Sequence, residues 1–152
     1  MGADLSADAE GRPPRFVVRA LRDPDGANLD RIQIVKGWLE ADGTTAERVY
    51  DIACGGRELL DTGCDGAVGD TVDAETASFT NSIGQAILAG FWEDPDFDPA
   101  QSAFYYVRVL EIPTPRWTTF DAAVFGVEIP DGAPTSIQER AYTSPIWYAP
   151  EG

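Results

Sequence analysis

Ala103-Phe104-Tyr105-Tyr106-Val107-Arg108-Val109-Leu110-Glu111-Ile112 is the longest run of β-branched and aromatic residues in the chain, and it holds neither Gly nor Pro. Such residues fit a pleated, half-buried surface. Period-2 alternation puts Tyr105, Val107 and Val109 on one face and Phe104, Tyr106, Arg108 and Leu110 on the other. Both faces carry large apolar groups, so the run reads as a central strand covered on both sides. Toward the N-terminus, Asp94-Pro95-Asp96-Phe97-Asp98-Pro99 is turn chemistry. It follows a strand candidate at residues 85–92, whose buried groups would be Ile87, Leu88, Phe91 and Trp92. Toward the C-terminus, Pro113-Thr114-Pro115-Arg116-Trp117 opens an irregular stretch running to about residue 136, with brief extended structure at 124–127. Residues 139–148 then return as a strand broken by Ser144-Pro145, which suggests an edge or a bulge.

The rest of the chain is read as packing around that strand. Residues 29–39 alternate, with Ile32, Ile34 and Trp38 on one face and Arg31, Gln33 and Val35 on the other. Ala41-Asp42-Gly43-Thr44 carries the Asp-Gly hairpin signal, and residues 45–53 return as its second strand. Residues 15–21 are a first strand. Before them, residues 1–14 are expected to be a disordered lead or an artificial start. Residues 54–70 form a long Gly- and Asp-rich loop, and residues 73–81 a short edge strand. The expected core includes Ile32, Ile34, Trp38, Tyr105, Val107 and Val109. No convincing amphipathic helix is visible. The expectation is one all-β domain over residues 15–150. It would be an immunoglobulin-like antiparallel β-sandwich of about seven strands with two long irregular loops. Ser102-Ala103-Phe104-Tyr105-Tyr106-Val107 resembles the strand-F signature of such domains. Tyr105 would stand at the tyrosine corner and Val107 in place of the usual cysteine, although no matching earlier cysteine exists.

Composition excludes several chemistries. The 152 residues carry 26 acidic and 11 basic side chains, a net charge of −15, and this disfavours binding to phosphate backbones. There is no histidine, which removes the commonest general base, the usual zinc ligand and every Ser-His-Asp or Cys-His arrangement. A self-contained hydrolase would need carboxylates, Lys36, tyrosines or an oxygen-bound metal instead. No apolar run approaches the ~20 residues of a membrane span. The first residues lack a signal-peptide pattern.

Two acidic clusters are candidate metal ligands: Asp23, Asp25 and Asp30, and then Asp94, Asp96 and Asp98. The first is not an EF-hand, because the sixth and twelfth places counted from Asp23 hold Asn28 and Ile34. A looser Ca²⁺ site, or one shared by both clusters, is weighed against simple turns with side-chain to backbone hydrogen bonds. No other cofactor is expected. Cys54 and Cys64 enclose nine residues and are read as a disulfide, which would imply an oxidising compartment. Trp117, Trp147 and Tyr148 are weighed as a carbohydrate platform against core or interdomain contacts.

Four stretches together resemble the C-terminal part of a large bacterial family, the domain of unknown function three-six-zero-four. They are ALRDPDGANLDRIQIVKGW from Ala20, RVYDIA from Arg48, DPDFDPAQSAFYYVRVLEI from Asp94 and QERAYTSPIWY from Gln138. The resemblance implies longer, usually exported proteins whose N-terminal part resembles PHP-type metal-dependent phosphoesterases. No ligand motif of that part is present, so no catalytic residue is carried over. It implies a non-catalytic accessory domain, periplasmic or secreted, whose partner in cis or in trans is the catalytic portion of a longer family protein. An autonomous Ca²⁺- or glycan-binding module is the alternative, and a stand-alone hydrolase using carboxylate-bound metal the third reading.

Overall fold

The structure, a computed structural model, describes residues 2–5 and 11–150. In chain order the elements are β1 (Ala3–Leu5), β2 (Arg15–Leu21), β3 (Leu29–Leu39), β4 (Thr45–Cys54), β5 (Leu59–Leu60), β6 (Gly63–Cys64), β7 (Ile87–Glu93), β8 (Ala103–Glu111), β9 (Thr114–Pro115), α1 (Trp117–Phe125), β10 (Ser136–Ile137), β11 (Arg140–Tyr142) and β12 (Ile146–Tyr148).

The β3–β4 hairpin forms where Asp-Gly allows it. Gly43 takes φ +84°, and Asp42 Oδ1 accepts the Thr44 N–H at 2.9 Å. β8 lies against the other side of β3, with Ile34 opposite Val107 and Trp38 opposite Ala103. β12 and β11 pair with the first and last parts of β8, split by Pro145, which cannot donate to a ladder. The result is a six-stranded sheet ordered β1-β12-β8-β3-β4, with β11 also on β8. It is mixed, because β1 runs parallel to β12. A separate ribbon of β2 and β7 lies over the inner face.

The core sits between these layers. Ile32, Ile34, Ile52, Tyr105 and Tyr148 of the large sheet meet Leu88 and Trp92 of the ribbon, with Phe16, Val18 and Ala20 packed alongside. Tyr105 lies 5.3 Å from the Phe16 ring, and Trp92 lies 4.9 Å from Tyr50. Burial of each of Ile32 and Ile34 contributes about 1.5–3 kcal/mol. Gly90 permits the close approach of the layers, since a Cβ there would fall 2.5 Å from the Ile52 carbonyl oxygen.

Several expectations change. β8 is central in its sheet, but the described residues cover it on one side only. Phe104, Tyr106, Arg108 and Leu110 face outward and are half-buried. Ile32, Ile34 and Tyr105 are fully buried, whereas Trp38, Val107 and Val109 pack at the core's margin. In β7 alternation sends only Leu88 and Trp92 inward, leaving Ile87 and Phe91 exposed. Residues 73–81 hold a single bridge between Asp73 and Ser78, because Asp73 Oδ1 accepts the Glu75 N–H and bends the chain. Residues 117–125 form a helix, stopped by Gly126 in the left-handed region at φ +67°. Of the expected lead, Ala3–Leu5 is a strand, because β12 offers it a ladder. Residues 1, 6–10 and 151–152 lie outside the described residues.

Candidate functional site

The two acidic clusters occupy opposite ends of β3. Asp30, Ile32, Ile34 and Lys36 share its inward side, and Asp30 and Lys36 lie six residues, roughly 20 Å, apart. Asp30 is fully buried. Its carboxylate accepts from Arg57 Nη2, from Arg31 Nε at 3.0 Å and from Gln138 Nε2 at 2.8 Å. Arg57 also donates to the Gly66 carbonyl at 2.7 Å. Cys54 and Cys64 are joined, with Cα atoms 5.7 Å apart. Asp51 accepts from Gln33 and from the Cys64 N–H. Asp30 therefore ties the disulfide loop to the sheet. Asp23 Oδ1 accepts the Asp25 N–H at 2.9 Å in an exposed turn.

At the other end Lys36 is buried with Asp94, Nζ to Oδ2 2.7 Å. The Tyr105 hydroxyl donates to the same oxygen at 2.7 Å, and the Asp96 N–H donates to the other at 3.0 Å. Asp96 accepts from Arg48 and from the Tyr50 hydroxyl, each at 2.7 Å. Asp98 Oδ1 accepts the Ala100 N–H. Burial, then the hydrogen bonds to Asp94 and Asp96, raise the Tyr105 and Tyr50 hydroxyls well above the ordinary tyrosine value. The Tyr50 hydrogen bond, with Arg48 in support, lowers Asp96 below the usual carboxylate value. Tyr105 thus reaches a carboxylate and not the upstream backbone that a tyrosine corner requires.

The clusters that suggested metal ligands are consequently not brought together. Asp30, Asp94 and Asp96 place their oxygens on cationic, hydroxyl and amide partners. Among the described residues no group of three Cys, Asp or Glu side chains is arranged to hold a metal ion. Nothing in this network presents an open nucleophile.

The outward face of the large sheet is different. One row crosses five strands, from Asp4 to Trp147, Phe104, Gly37 and Glu47. A Cβ at Gly37 would lie 2.4 Å from Phe104 Cζ, so the Phe104 ring rests directly over the Gly37 backbone. The Trp147 ring stands 5.4 Å from it at 53° and is half exposed. Tyr106 continues the stripe, nearly parallel to Phe104 at 6.4 Å, and Tyr142 lies 6.1 Å beyond. A groove of about 590 Å³ lies at this end of the face. The expected platform of Trp117, Trp147 and Tyr148 does not assemble. Tyr148 is buried with its hydroxyl on the Pro99 carbonyl, and Trp117 is on α1. Phe104 is the residue missed. The signal for it was Gly37 in mid-strand, which marks a close approach.

A second unusual surface is α1 itself. Trp117, Phe120, Val124 and Phe125 are 65%, 47%, 72% and 72% exposed, while the buried residues are Thr118 and Thr119.

A family model described as "Protein of unknown function (DUF3604)" matches residues 1–150, and the chain belongs to that family. No curated protein and no solved structure matches significantly.

Proposed function

We propose, from membership of that family together with the surface of α1, that this chain is a non-catalytic β-sandwich accessory domain. It packs against the catalytic part of a metal-dependent-hydrolase-like protein, in cis or in trans, in an oxidising compartment outside the cytoplasm. The observation that carries this reading is the inverted helix. Spacing of i, i+3 and i+7 sets Trp117, Phe120 and Val124 on one side, and Phe125 extends it. That side faces away from the core of its own domain. Contiguous exposed apolar surface of this kind marks an interaction site. The Cys54–Cys64 disulfide is compatible with export. The absence of histidine and the closed carboxylate networks support a role other than turnover.

The test mixes this chain with the separately produced catalytic part of a longer family member and measures complex mass by light scattering. A one-to-one complex is expected, lost in the Phe120→Asp/Phe125→Asp variant. The isolated chain should show no phosphoester turnover with Mn²⁺, Zn²⁺ or Mg²⁺. Turnover abolished by Asp94→Asn, or a chain that stays monomeric in the mixture, would overturn the reading.

A further inference from the structure

The groove on the outward face lies at the Ala103 end of β8, whereas α1 follows the Glu111 end, about 27 Å along the strand. It is therefore a separate surface from the docking helix. Its floor is the Phe104 ring lying on Gly37, and Trp147 forms one wall. The volume of about 590 Å³ falls within the range of small-ligand sites. Two exposed carboxylates stand at the ends of the same row, Asp4 beyond Trp147 and Glu47 beyond Gly37. Neither has a hydrogen-bond or ion-pair partner among the described residues. Among the described residues no lysine or arginine lines the groove. Aromatic faces flanked by unpaired carboxylates attract a cationic group on an apolar body and repel phosphates and acidic sugars.

The strands beneath the groove choose between two such bodies. β12, β8 and β3, which carry the aromatic floor, each have a neighbour on both sides, so their ladders are filled, and the one open edge of these strands, on β4, lies beside the floor. An extended basic peptide would find no ladder there and would set its own amides on an aromatic floor, where they cost free energy. A pyranose ring presents only C–H bonds to such a floor and keeps its hydroxyls at the wet rim. We propose that this groove binds a cationic pyranose oligosaccharide of the amino-sugar class, stacked on Phe104 and Trp147 with its ammonium groups on Glu47 and Asp4.

Calorimetric titration of the whole 152-residue chain with the glucosamine tetramer tests this, with the N-acetylglucosamine tetramer, an oligogalacturonate and tetralysine as comparators. The glucosamine tetramer should bind, and more weakly as salt rises. Trp147→Ala should reduce affinity by about ten-fold, the loss of one modest stacking contact. Glu47→Gln, an exposed edge-strand change that leaves packing alone, should weaken binding and flatten its salt dependence. Trp147→Phe should retain part of the affinity, which separates loss of stacking from loss of fold. No binding of the glucosamine tetramer would overturn the proposal. Equal binding of the N-acetylated tetramer with no effect of Glu47→Gln would also overturn it, as would tetralysine or oligogalacturonate binding as tightly.

Discussion

Lys36 is the residue whose surroundings explain most. Its parity with Ile32 and Ile34 places an ammonium group on a buried face, and that demands a counter-charge. Asp94 supplies it, held in turn by Tyr105 and by the Asp96 N–H. Lys36→Met should therefore destabilise the chain by about 3–5 kcal/mol, because it leaves Asp94 buried and unpaired. Lys36→Met/Asp94→Asn should lose less than the sum of the single variants, a coupling measurable by urea denaturation. Asp96 gives a pH signature. Its folded pKa lies below the ordinary value of 3.8, so its contribution is present above that value and is lost as pH falls through the folded pKa. Asp96→Asn should thus be less stable than the parent at neutral pH, and the gap should close in acid. A gap that persists unchanged down to about pH 2, well below the ordinary carboxylate range, would refute the assignment. The sequence could have flagged Lys36 in this role, since a lysine in phase with isoleucines needs a partner. It could not say which of the clustered aspartates would be that partner, because the choice depends on how the residue 94–98 turn folds back over β3.

At the scale of elements, strands with strict alternation were legible and their boundaries agree closely. Residues 15–21 and 29–39 are strands β2 and β3 as expected, and the Asp-Gly turn joins β3 to β4. What alternation could not supply is whether a layer exists to cover each side. Phe104 and Phe91 are as apolar as any core residue, yet among the described residues no element lies over either. α1 escaped notice because no acidic residue marks its first turn and no basic one its last. Its stripe of Trp117, Phe120 and Val124 is only about two turns long, and Ala122, Ala123 and Phe125 fall outside that spacing and blur it. Two glycines test the layer spacing. Gly90→Ala sets a methyl against the Ile52 backbone, which cannot yield, and should cost about 1–3 kcal/mol by thermal denaturation. Gly37→Ala meets only the end of the Phe104 ring, which can swing aside. Its cost should be smaller, with the Phe104 side-chain resonances displaced in the NMR spectrum.

For the whole molecule, the disulfide and Asp30 together fasten the Cys54–Cys64 loop to the sheet. The loop-entropy account assigns such a bridge about 3 kcal/mol. For a chain of this size Cys54→Ser/Cys64→Ser should lower the melting temperature by roughly 6–12 °C. Reductant should produce the same drop in the parent and none in the variant. The docking proposed for α1 makes the opposite prediction. Phe120→Asp/Phe125→Asp removes nothing from the core, so stability should stay within about 0.5 kcal/mol per exposed site while association is abolished. A large loss of stability would show that those rings pack within this domain after all.

By itself the sequence determined the long strands β2, β3, β4 and β8, the hairpin, the disulfide spacing, the acidic surface and the exclusion of histidine chemistry. Each is either a local backbone preference or a matter of composition. Only the tertiary structure decided that six strands would form one sheet with a two-stranded ribbon on one side. Among the described residues that arrangement puts no second layer on the other side, where an aromatic stripe runs. It also placed the two aspartate clusters at opposite ends of β3 and gave each its cations. The reason is physical: a side chain's chemistry is written in the chain, but its burial and its partners depend on contacts between residues far apart in sequence.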